Sequence, residues 1–315
     1  MNIVILDADT IGQDIDLSAF EKLGNVTVYG FSSPEEMRER AADADVIILN
    51  KMLANAQTLE KASHLKLICV TATGTNNLDK DYLAQRGIAW RNVAGYSTEC
   101  VTQHTFAMLF YLLEKLPYYD RYVKSEAYVD NTTFTHFTNV FHELCGMTWG
   151  IIGLGAIGQR VAQVAAAFGC RIIYYSASGQ HDHPDYERVS FDELLSRSDI
   201  VSVHAPLTDR TEGLMNRQAF QKMKKSAIFL NLGRGPIVTE QDLADALQAG
   251  ELAAAGLDVL SAEPMRADNP LKSIKDSGRL FITPHIAWAG VETRRRLMDI
   301  IWDQIRTFFD AETSA

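Results

Sequence analysis

The sequence predicts an α/β protein whose sheets consist of parallel strands. Short, almost continuously apolar runs alternate along the chain with stretches of helical length. Apolar runs of this kind are typical of strands that are buried on both faces, and their alternation with helices is typical of parallel sheets. The 315 residues are enough for about two domains of ordinary size.

The strand candidates are runs of mainly aliphatic residues that are bounded by polar or turn-forming ones. In chain order they are Asn2–Leu6, Val26–Tyr29, Val46–Leu49, Leu67–Val70, Gly150–Ile152, Arg171–Tyr175, Ile200–Val203, Ala227–Asn231, Gly256–Val259 and Leu280–Thr283. Near the end of the chain, apolar residues at helical spacing predict a helix of about Val291–Phe309 with one buried face. They are Leu297, Ile300, Ile301, Ile305 and Phe308.

A long helix is predicted from about Thr98 to Leu116, because Pro117 should stop it. Between Pro117 and His142, aromatic residues then crowd into a segment with little regular periodicity. They are Tyr118, Tyr119, Tyr122, Tyr128, Phe134, Phe137 and Phe141. The segment is either irregular structure packed on its own domain or an arm that contacts another subunit. Because aromatic residues are enriched at the centres of interfaces, we favour a homodimer with its arm at residues 117–142.

The charge balance argues against two classes of partner. Lys and Arg total 30 against 40 Asp and Glu, which gives a formal net charge of −10. Such a chain is repelled by nucleic acid phosphates and by anionic membranes, so neither is expected as a partner. No apolar run approaches the roughly 18–20 residues of a membrane span. An anionic small-molecule substrate would need a local cation to bind against the overall field.

A reducing, cytoplasmic location is expected from the start of the chain and from its cysteines. The start lacks a basic region and reaches an acidic residue by Asp7, so it is interpreted as a first strand and not as a signal peptide. The cysteines form no CxxC pair and are expected to be buried free thiols. They are Cys69, Cys100, Cys145 and Cys170.

A glycine motif at 153–158, GLGAIG, indicates a dinucleotide site in a Rossmann-like domain. It follows a strand, runs into a helical stretch at Gln159–Phe168, and is followed by a second strand, which is the context that the motif requires. Gly153 permits the tight turn, Gly155 lets the backbone approach a pyrophosphate, and Gly158 lets the helix pack on the strand. The free N–H groups of the helix N-terminus, which include those of Ala156 and Ile157, favour an anion.

The choice between NAD and NADP stays open, with NAD favoured. An NAD site usually has Asp or Glu at the end of the second strand for the ribose hydroxyls, and Ser176 takes that place here. Serine still bonds a hydroxyl, and it lacks the charge that repels a 2′-phosphate. However, no Arg or Lys follows within that turn to bind such a phosphate. The next loop, residues 180–185, contains two histidines and two aspartates, but we interpret it as a solvated polar loop and expect no metal site.

Three further segments place a polar residue just beyond an apolar strand, where open α/β sheets bind ligands. Arg234 stands between two glycines, Asp258 ends a strand with Glu263 in the loop after it, and His285 follows a strand and a proline. Taken singly, each has an ordinary structural explanation. Together, a guanidinium that clamps a carboxylate and a carboxylate-supported histidine that exchanges a proton make a coherent catalytic site.

Taken together, these segments resemble those of the D-isomer-specific 2-hydroxyacid dehydrogenases, and the resemblance extends along essentially the whole length of the chain. Five ordered segments carry the resemblance: GLGAIG at 153–158, VHAPLT at 203–208, NLGRG at 231–235, LDV with the later EP at 257–264, and TPHIAW at 283–288. The N-terminal LDADTIGQDIDLS and the loop TATGTNNLD at 71–79 are most similar to the glycerate dehydrogenase, or hydroxypyruvate reductase, branch. The resemblance implies hydride transfer between a nicotinamide and C2 of a small 2-oxo or 2-hydroxy acid.

The resemblance also assigns catalytic roles. It implies that His285 gives its proton to the 2-oxo oxygen during reduction, that Glu263 holds His285 protonated, and that Arg234 binds the substrate carboxylate. The backbone around Thr73 and Gly74 would hold the other side of that carboxylate.

For the cofactor, the resemblance implies that Asp258 accepts a hydrogen bond from the nicotinamide carboxamide and that a further set of residues lines the cleft. That set is His204, Pro206, Leu232, Gly233 and His285. It further implies a split substrate domain at 1–98 and 289–315, and a cofactor domain at 99–288. Trp288, close after His285, is either a packing aromatic or a residue at the mouth of the substrate pocket that limits substrate size.

Two alternatives to a hydroxypyruvate or glyoxylate reductase stay open from the sequence. The first is a D-lactate-type dehydrogenase of another 2-oxo acid. The second is a nicotinamide-sensing binding protein, because the fold alone does not fix an activity. The complete set of Arg234, Glu263 and His285 favours an enzyme.

Overall fold

The computed structural model describes residues 1–180 and 182–313, and the chain divides into two compact units. The first unit consists of Met1–Ser97 and Ala289–Ala315, and the second of Thr98–Trp288. The family resemblance places this boundary after residue 98, one residue later than the structure does.

The first unit contains a five-stranded parallel sheet with two short helices in its first segment. Its elements are β1 (Asn2–Ile5), β2 (Asn25–Val28), α1 (Pro34–Arg40), β3 (Val46–Leu49), β4 (Leu67–Val70), α2 (Lys80–Gln85) and β5 (Ala89–Arg91), and the strand order is β2-β1-β3-β4-β5. Every residue of β3 and β4 is buried, as their apolar runs predict. The start of α1 is fixed by a capping box, in which Ser33 and Glu36 each accept from the other's backbone N–H.

The second unit contains a seven-stranded parallel sheet. Its elements are α3 (Thr98–Leu113), α4 (Leu116–Val123), α5 (Glu126–Val129), β6 (Thr148–Ile152), α6 (Ala156–Ala167), β7 (Arg171–Tyr175), β8 (Glu187–Arg188), α7 (Phe191–Arg197), β9 (Ile200–Val203), α8 (Arg217–Lys222), β10 (Ile228–Asn231), α9 (Glu240–Ala249), β11 (Ala254–Leu257) and β12 (Leu280–Ile282). The strand order is β12-β11-β10-β9-β6-β7-β8. The order reverses direction between β6 and β9, and ligands of such sheets bind outside the strand ends at this reversal.

The last helix, α10 (Val291–Thr313), belongs to the first unit. Of the five residues predicted to form its buried face, Leu297, Ile301 and Ile305 are fully buried, whereas Ile300 and Phe308 are half-buried. Two side chains also tie it to the first segment of that unit: Arg296 donates to the Tyr96 carbonyl at 2.8 Å and Gln304 to the Asn92 carbonyl at 2.9 Å.

The parallel α/β fold is confirmed, and the differences from prediction are local. The helix predicted to run to Leu116 ends at Leu113, because Lys115 adopts a left-handed conformation with φ of 55°. Pro117 then lies in the first turn of α4, where its missing N–H costs nothing. Strand β11 lies two residues earlier than predicted, and the short strands β5 and β8 were missed because their residues are few and partly polar.

The aromatic segment is not irregular throughout, because α4 and α5 occupy its first half. Residues 130–147 form neither helix nor strand. Two phenylalanines of this stretch are almost fully exposed, Phe134 at 89% and Phe137 at 80%. Exposed aromatics of this kind mark a surface that another molecule can cover.

All the cysteines are free, but the prediction that they are buried holds for only two of them. Cys69 and Cys170 are buried, whereas Cys100 is half-buried and Cys145 is exposed. Burial raises the pKa of the Cys69 thiol to about 12 and that of Cys170 to about 11. Within residues 1–180 and 182–313, no helix combines the length and the apolarity that crossing a bilayer requires.

Candidate active site

The segments that contain the predicted site residues of the second unit begin directly after six of its parallel strands. Gly153 follows β6, Ser176 follows β7 and His204 follows β9; Leu232, Asp258 and Thr283 follow the next three strands. Because the carboxyl ends of parallel strands meet at one edge of the sheet, these residues share that edge. Two sets can be distinguished there, one suited to a dinucleotide and one to acid–base chemistry.

The glycine turn before α6 has the shape that a dinucleotide needs. Gly153 has φ of 92°, and a Cβ there would lie 2.7 Å from the backbone N of Ala205. A Cβ on Gly158 would overlap the Gly153 carbonyl oxygen, so only glycine allows the helix to pack here. By contrast, a Cβ on Gly155 would meet nothing within 4 Å, so the backbone at the start of the 12-residue α6 is open to a pyrophosphate.

His204 borders this turn and carries a buried atom without a partner. Its Nε2 lies 3.1 Å from Ser202 Oγ, which also accepts from Trp149 Nε1 at 2.9 Å. Among the described residues, nothing bonds its Nδ1, which is out of contact with solvent. Desolvation lowers the pKa of His204 to about 3, so the ring is neutral. An unpaired buried nitrogen beside an open glycine turn fits a bound polar ligand.

The loops after β9 and β10 touch each other beside the glycine turn. A Cβ on Gly233 would lie 2.9 Å from the Ala205 carbonyl oxygen, so Leu232 and Gly233 lie against the 204–206 segment. Pro206 is held there through its carbonyl, which accepts from Thr211 Oγ1 at 2.8 Å. These residues, together with the open glycine turn, fit the binding of a nicotinamide dinucleotide.

The turn after β7 contains a residue that sequence reasoning missed. Ser176 Oγ donates to the Gln180 carbonyl at 2.8 Å and lies 3.2 Å from Ser178 Oγ. Arg210, from the loop after β9, donates to the carbonyls of Ser178 at 3.3 Å and Ala177 at 3.5 Å. No arginine follows Ser176 within its own turn, but the fold brings one there from elsewhere in the chain. The polar loop after β9 was the one available signal, because it starts at the same sheet edge.

Arg234 is held by Asn231, a second residue whose role no sequence pattern indicates. Asn231 is fully buried; its Nδ2 donates to the Arg234 carbonyl at 3.0 Å, and its Oδ1 accepts from Gly233 N at 3.1 Å. The amide therefore closes the turn on both sides of Arg234. The guanidinium uses Nη1 to donate to the Gly233 carbonyl at 2.8 Å, which leaves other N–H groups for a ligand.

His285 and Glu263 form a hydrogen-bonded pair. His285 Nδ1 lies 2.7 Å from Glu263 Oε2, and the other oxygen of Glu263 accepts from Leu260 N at 3.0 Å. Because an ionised carboxylate only accepts hydrogen bonds, Nδ1 carries the proton on this side of the ring. Nε2 is then the atom that can exchange a proton with a substrate. Both side chains are partly exposed, 25% for His285 and 33% for Glu263, so a ligand can reach them.

The loop that carries His285 is strained and is held by Asp258. His285 has φ of 57°, which is uncommon for a residue with a Cβ. The carboxylate of Asp258, only 2% exposed, accepts from Thr283 Oγ1 at 2.6 Å and from the backbone N–H of Ile286 and Ala287 at 2.9 Å each. Its backbone carbonyl also accepts from His285 N at 2.8 Å.

The hydrogen bonds that start at Asp258 continue through Thr283 to His104 on α3. Since the Thr283 hydroxyl proton goes to Asp258, the His104 Nε2 at 3.0 Å from the same hydroxyl must donate to it. His104 therefore carries a proton on Nε2 and supports Thr283 from the side opposite to Asp258. No sequence pattern marks His104, because a lone histidine on a helix has no distinguishing neighbours.

The loop that carries Arg234 (residues 231–240, the arginine loop) and the loop that carries Glu263 (residues 258–269, the glutamate loop) are in backbone contact. A Cβ on Gly235 would overlap the carbonyl group of Leu260, so the two loops touch where only glycine fits. Glu240 then ties the second loop down, since its carboxylate accepts from Ser261 N and from Asn269 Nδ2, both at 2.7 Å. Arg234, Glu263 and His285 are thus linked through a continuous set of short contacts within the second unit.

The remaining predicted substrate residues are placed as follows. Thr73 and Gly74 belong to the first unit, in the loop after β4, where Thr73 Oγ1 donates to the Val93 carbonyl at 3.0 Å. Trp288 belongs to the second unit, is half-buried and packs against an apolar cluster that includes Ala287. Of the polar loop at 180–185, His181 lies outside the described residues. In the parts of the chain that the structure does describe, no three His, Cys, Asp or Glu side chains are grouped to hold a metal ion.

Comparisons with known proteins give the family. Residues 106–287, more than half of the chain, match the model of the D-isomer specific 2-hydroxyacid dehydrogenase NAD binding domain. A hydroxypyruvate reductase of Blautia hydrogenotrophica is 38% identical over 98% of this chain and 97% of its own length. A glycerate dehydrogenase of Methylorubrum extorquens is 34% identical over 88% of this chain and 86% of its own length.

Solved structures agree with this result. The crystal structure of D-lactate dehydrogenase from Aquifex aeolicus, in complex with NAD and lactic acid, has a TM-score of 0.85 and 26% identity, and the match covers 100% of this chain and 97% of that one. The two parallel sheets agree with the fold of these relatives. This chain therefore belongs to the D-isomer-specific 2-hydroxyacid dehydrogenase family, as a dehydrogenase with an NAD-binding domain.

Proposed function

We propose that this dehydrogenase interconverts hydroxypyruvate with D-glycerate and glyoxylate with glycolate. The observation that carries the proposal is the His285–Glu263 pair, whose 2.7 Å contact leaves His285 Nε2 to exchange a proton with the substrate oxygen. The relatives named hydroxypyruvate reductase and glycerate dehydrogenase support the substrate class. Both substrates are small 2-oxo acids, which differ only in the substituent on C2.

Each catalytic residue has a defined task in the reduction. Arg234 binds the substrate carboxylate through the N–H groups that Gly233 leaves free, and its charge polarises the neighbouring carbonyl. When bound, the nicotinamide supplies the hydride that adds to C2. The proton on His285 Nε2 passes to the 2-oxo oxygen, and the carboxylate of Glu263 stabilises the ring while it is positively charged. In the oxidation, neutral His285 takes the same proton back.

The substrate and cofactor contacts extend this scheme. The backbone at Thr73 and Gly74 is proposed as a further substrate contact, and Trp288 limits the size of the group on C3. Asp258 Oδ2 accepts one hydrogen bond, from Ala287 N, and has a further lone pair for the nicotinamide carboxamide. Gly153, Gly155, Ala156, Ile157 and Gly158 hold the pyrophosphate, and Ser176 binds the adenine ribose. NAD is one cofactor, and Ser176 carries no charge that would repel the 2′-phosphate of NADP.

A turnover assay tests the proposal. Purified protein is given NADH or NADPH with hydroxypyruvate, glyoxylate, pyruvate and phenylpyruvate, and the loss of absorbance at the nicotinamide band is followed. We expect the highest kcat/KM with hydroxypyruvate or glyoxylate, and a loss of at least about a hundredfold in kcat for His285→Ala. A preference for pyruvate would favour the second candidate, a D-lactate-type enzyme, which the likeness to the Aquifex aeolicus structure supports. Absence of turnover with every acid would leave a nicotinamide-sensing protein.

Trp288 has its own test within the same panel. Trp288→Ala should raise the ratio of kcat/KM for phenylpyruvate to that for hydroxypyruvate if the indole limits the pocket. Circular dichroism checks that the variant is folded, because removing a packed tryptophan costs a few kcal/mol of stability. An unchanged ratio in folded protein would leave Trp288 with a packing role alone.

We further propose that the protein is a cytoplasmic homodimer whose contact surface includes the arm at 117–142. Its support is the exposure of Phe134 and Phe137, and the free state of the cysteines fits a reducing compartment. Light scattering coupled to size exclusion should give twice the chain mass. The double variant Phe134→Ser, Phe137→Ser should shift the protein toward monomer, and a dimer that persists unchanged would remove the arm from the interface.

A further inference from the structure

The turn after β7 presents hydroxyl groups where an NAD-specific site presents a carboxylate. Its backbone is closed by a hydrogen bond from Gly179 N to the Ser176 carbonyl at 3.1 Å. The side chains of Ser176 and Ser178 lie within 3.2 Å of each other at the start of this turn. The turn therefore offers two hydroxyls and no acidic side chain to the adenine ribose, whose 2′ position lies at the end of this strand in Rossmann-like domains.

Arg210 brings a positive charge to the same turn. Its guanidinium reaches the Ser178 carbonyl at 3.3 Å and the Ala177 carbonyl at 3.5 Å, both through Nη1. These distances are long for hydrogen bonds, so the side chain is held loosely and most of its N–H groups stay available. The side chain is exposed, and among the described residues it makes no ion pair.

A second arginine near this turn, Arg188, is already paired with an acidic side chain. Arg188 Nη2 would lie 3.7 Å from a Cβ on Gly179, but its Nη1 donates to Asp182 Oδ1 at 2.8 Å. Because Asp182 cancels that charge locally, Arg210 supplies the net positive charge at the turn. In a chain of net charge −10, a local cation of this kind is what an added phosphate requires.

We propose that Arg210, together with the hydroxyls of Ser176 and Ser178, binds the 2′-phosphate of NADP(H) and makes this enzyme prefer NADP(H) over NAD(H). The guanidinium can turn from the two carbonyls to the phosphate and form charge-assisted, bidentate hydrogen bonds. The hydroxyl protons of Ser176 and Ser178, which bond the Gln180 carbonyl and Ser176 Oγ in this structure, can rotate toward the remaining phosphate oxygens. No carboxylate at the end of β7 repels the charge. This inference rests on the proposed dinucleotide site and adds the preference of that site between NADP(H) and NAD(H).

Binding of nucleotide fragments tests the inference without turnover. Isothermal titration calorimetry measures Kd for 2′,5′-ADP and for 5′-AMP, which differ only by the 2′-phosphate. For the natural protein we expect 2′,5′-ADP to bind at least about tenfold more tightly, with the advantage shrinking as salt is added. Arg210→Ala should reduce that ratio about tenfold while changing the Kd of 5′-AMP less than about twofold. Arg210→Lys should retain part of the ratio, because lysine keeps the charge and loses the fork.

A matched control removes the same charge elsewhere in the unit. Arg217 is also an exposed arginine, but it pairs with acidic side chains of α9. Arg217→Ala should leave the ratio of the two Kd values unchanged, which separates a local contact from a general effect of net charge. Arg210→Gln serves as a second variant of similar size if Arg210→Ala is poorly folded.

Two results would overturn the inference. One is equal binding of 2′,5′-ADP and 5′-AMP by the natural protein, and the other is a ratio in Arg210→Ala that equals the natural one. Either result leaves the proposed reaction intact, because that reaction is judged by turnover of 2-oxo acids. Conversely, absence of turnover would refute the proposed reaction without altering the ratio of the fragment affinities.

Discussion

Replacing Asp258 with asparagine tests whether one buried carboxylate holds the catalytic loop. Its two oxygens accept hydrogen bonds from the Thr283 hydroxyl, which precedes His285 in the chain, and from the backbone N–H groups of Ile286 and Ala287, which follow it. Asparagine has one carbonyl oxygen and an NH2 group of nearly the same shape. Whichever way the amide turns, its NH2 faces at least one of these donors, so at least one bond is lost.

The expected loss follows from that count. A hydrogen bond to a charged group is worth about 1.5–3 kcal/mol, and the bonds that survive are made to a neutral oxygen and are weaker. The positive φ of His285 costs about 1–3 kcal/mol, which the loop sustains only while these bonds hold it. A loss of about 2–3 kcal/mol therefore lets His285 leave its conformation. At 1.36 kcal/mol per factor of ten, we expect kcat to fall roughly 30- to 150-fold.

Two measurements check this prediction. Steady-state kinetics should show a fall in kcat that is larger than any rise in KM for the 2-oxo acid. Amide hydrogen exchange should speed up at Ile286 and Ala287, because their N–H groups lose their acceptor. Thr283→Ser, which keeps the hydroxyl donor, is the matched control and should stay close to the natural enzyme. A folded Asp258→Asn protein with kcat within about threefold of natural and unchanged exchange would refute the reasoning.

Three other predictions concern Ser176 in the turn after β7, Gly235 at the contact between the arginine and glutamate loops, and the buried ring of His204. Ser176→Asp should lower kcat/KM for NADPH about tenfold or more, equal to about 1.4 kcal/mol, while NADH is retained or improved, because the new carboxylate repels a 2′-phosphate. Gly235→Ala should lower the free energy of unfolding in urea by about 1–3 kcal/mol and reduce kcat, because its Cβ overlaps the Leu260 carbonyl. His204 has a pKa of about 3 in the folded protein and 6.5 as its ordinary value, so its contribution to stability is present above pH 6.5 and is lost as the pH falls from 6.5 toward 3. In urea unfolding, His204→Asn should therefore lose about 2–3 kcal/mol less than the natural protein between pH 7.5 and 4.5.

Each of these predictions has its own contrary result. Undiminished use of NADPH by Ser176→Asp would mean that Ser176 does not face the ribose. For Gly235, the control is Gly250→Ala, where a Cβ meets nothing within 4 Å and only the φ of 69° opposes the change; equal losses at the two sites would argue against the loop contact. An acid destabilisation that is identical with and without His204 would show that its ring is not held neutral in the fold.

The sequence alone was sufficient for features that depend on local pattern. The apolar runs predicted most strands within about two residues, because parallel strands that are buried on both faces leave a continuous apolar signal. The glycine motif could be recognised for a similar reason, since tight turns restrict the residues that fit them. His285 and Glu263 were predicted to pair, and they lie 2.7 Å apart.

What the sequence could not supply depends on the order of strands in the sheet. Arg210 comes far after Ser176 in the chain, and it reaches that turn because β9 and β7 flank the same central strand, β6. The hold of Asp258 on the His285 loop likewise depends on β11 lying beside β12. Asn231 and Gly235 were hidden within a recognised motif, because a motif shows which residues recur and not which contact each one makes.

The glycine at 235 has a consequence for anyone who wishes to redesign this enzyme. Because its backbone touches that of Leu260, the arginine loop and the glutamate loop behave as one exchangeable part. A chimera that takes only one of the two loops from a relative places backbones from two different proteins in this close contact, where small differences in shape would clash. Transplanting residues 231–240 and 258–269 together keeps Glu240 with its partners Ser261 and Asn269, and so preserves the spacing of the catalytic groups in the new host.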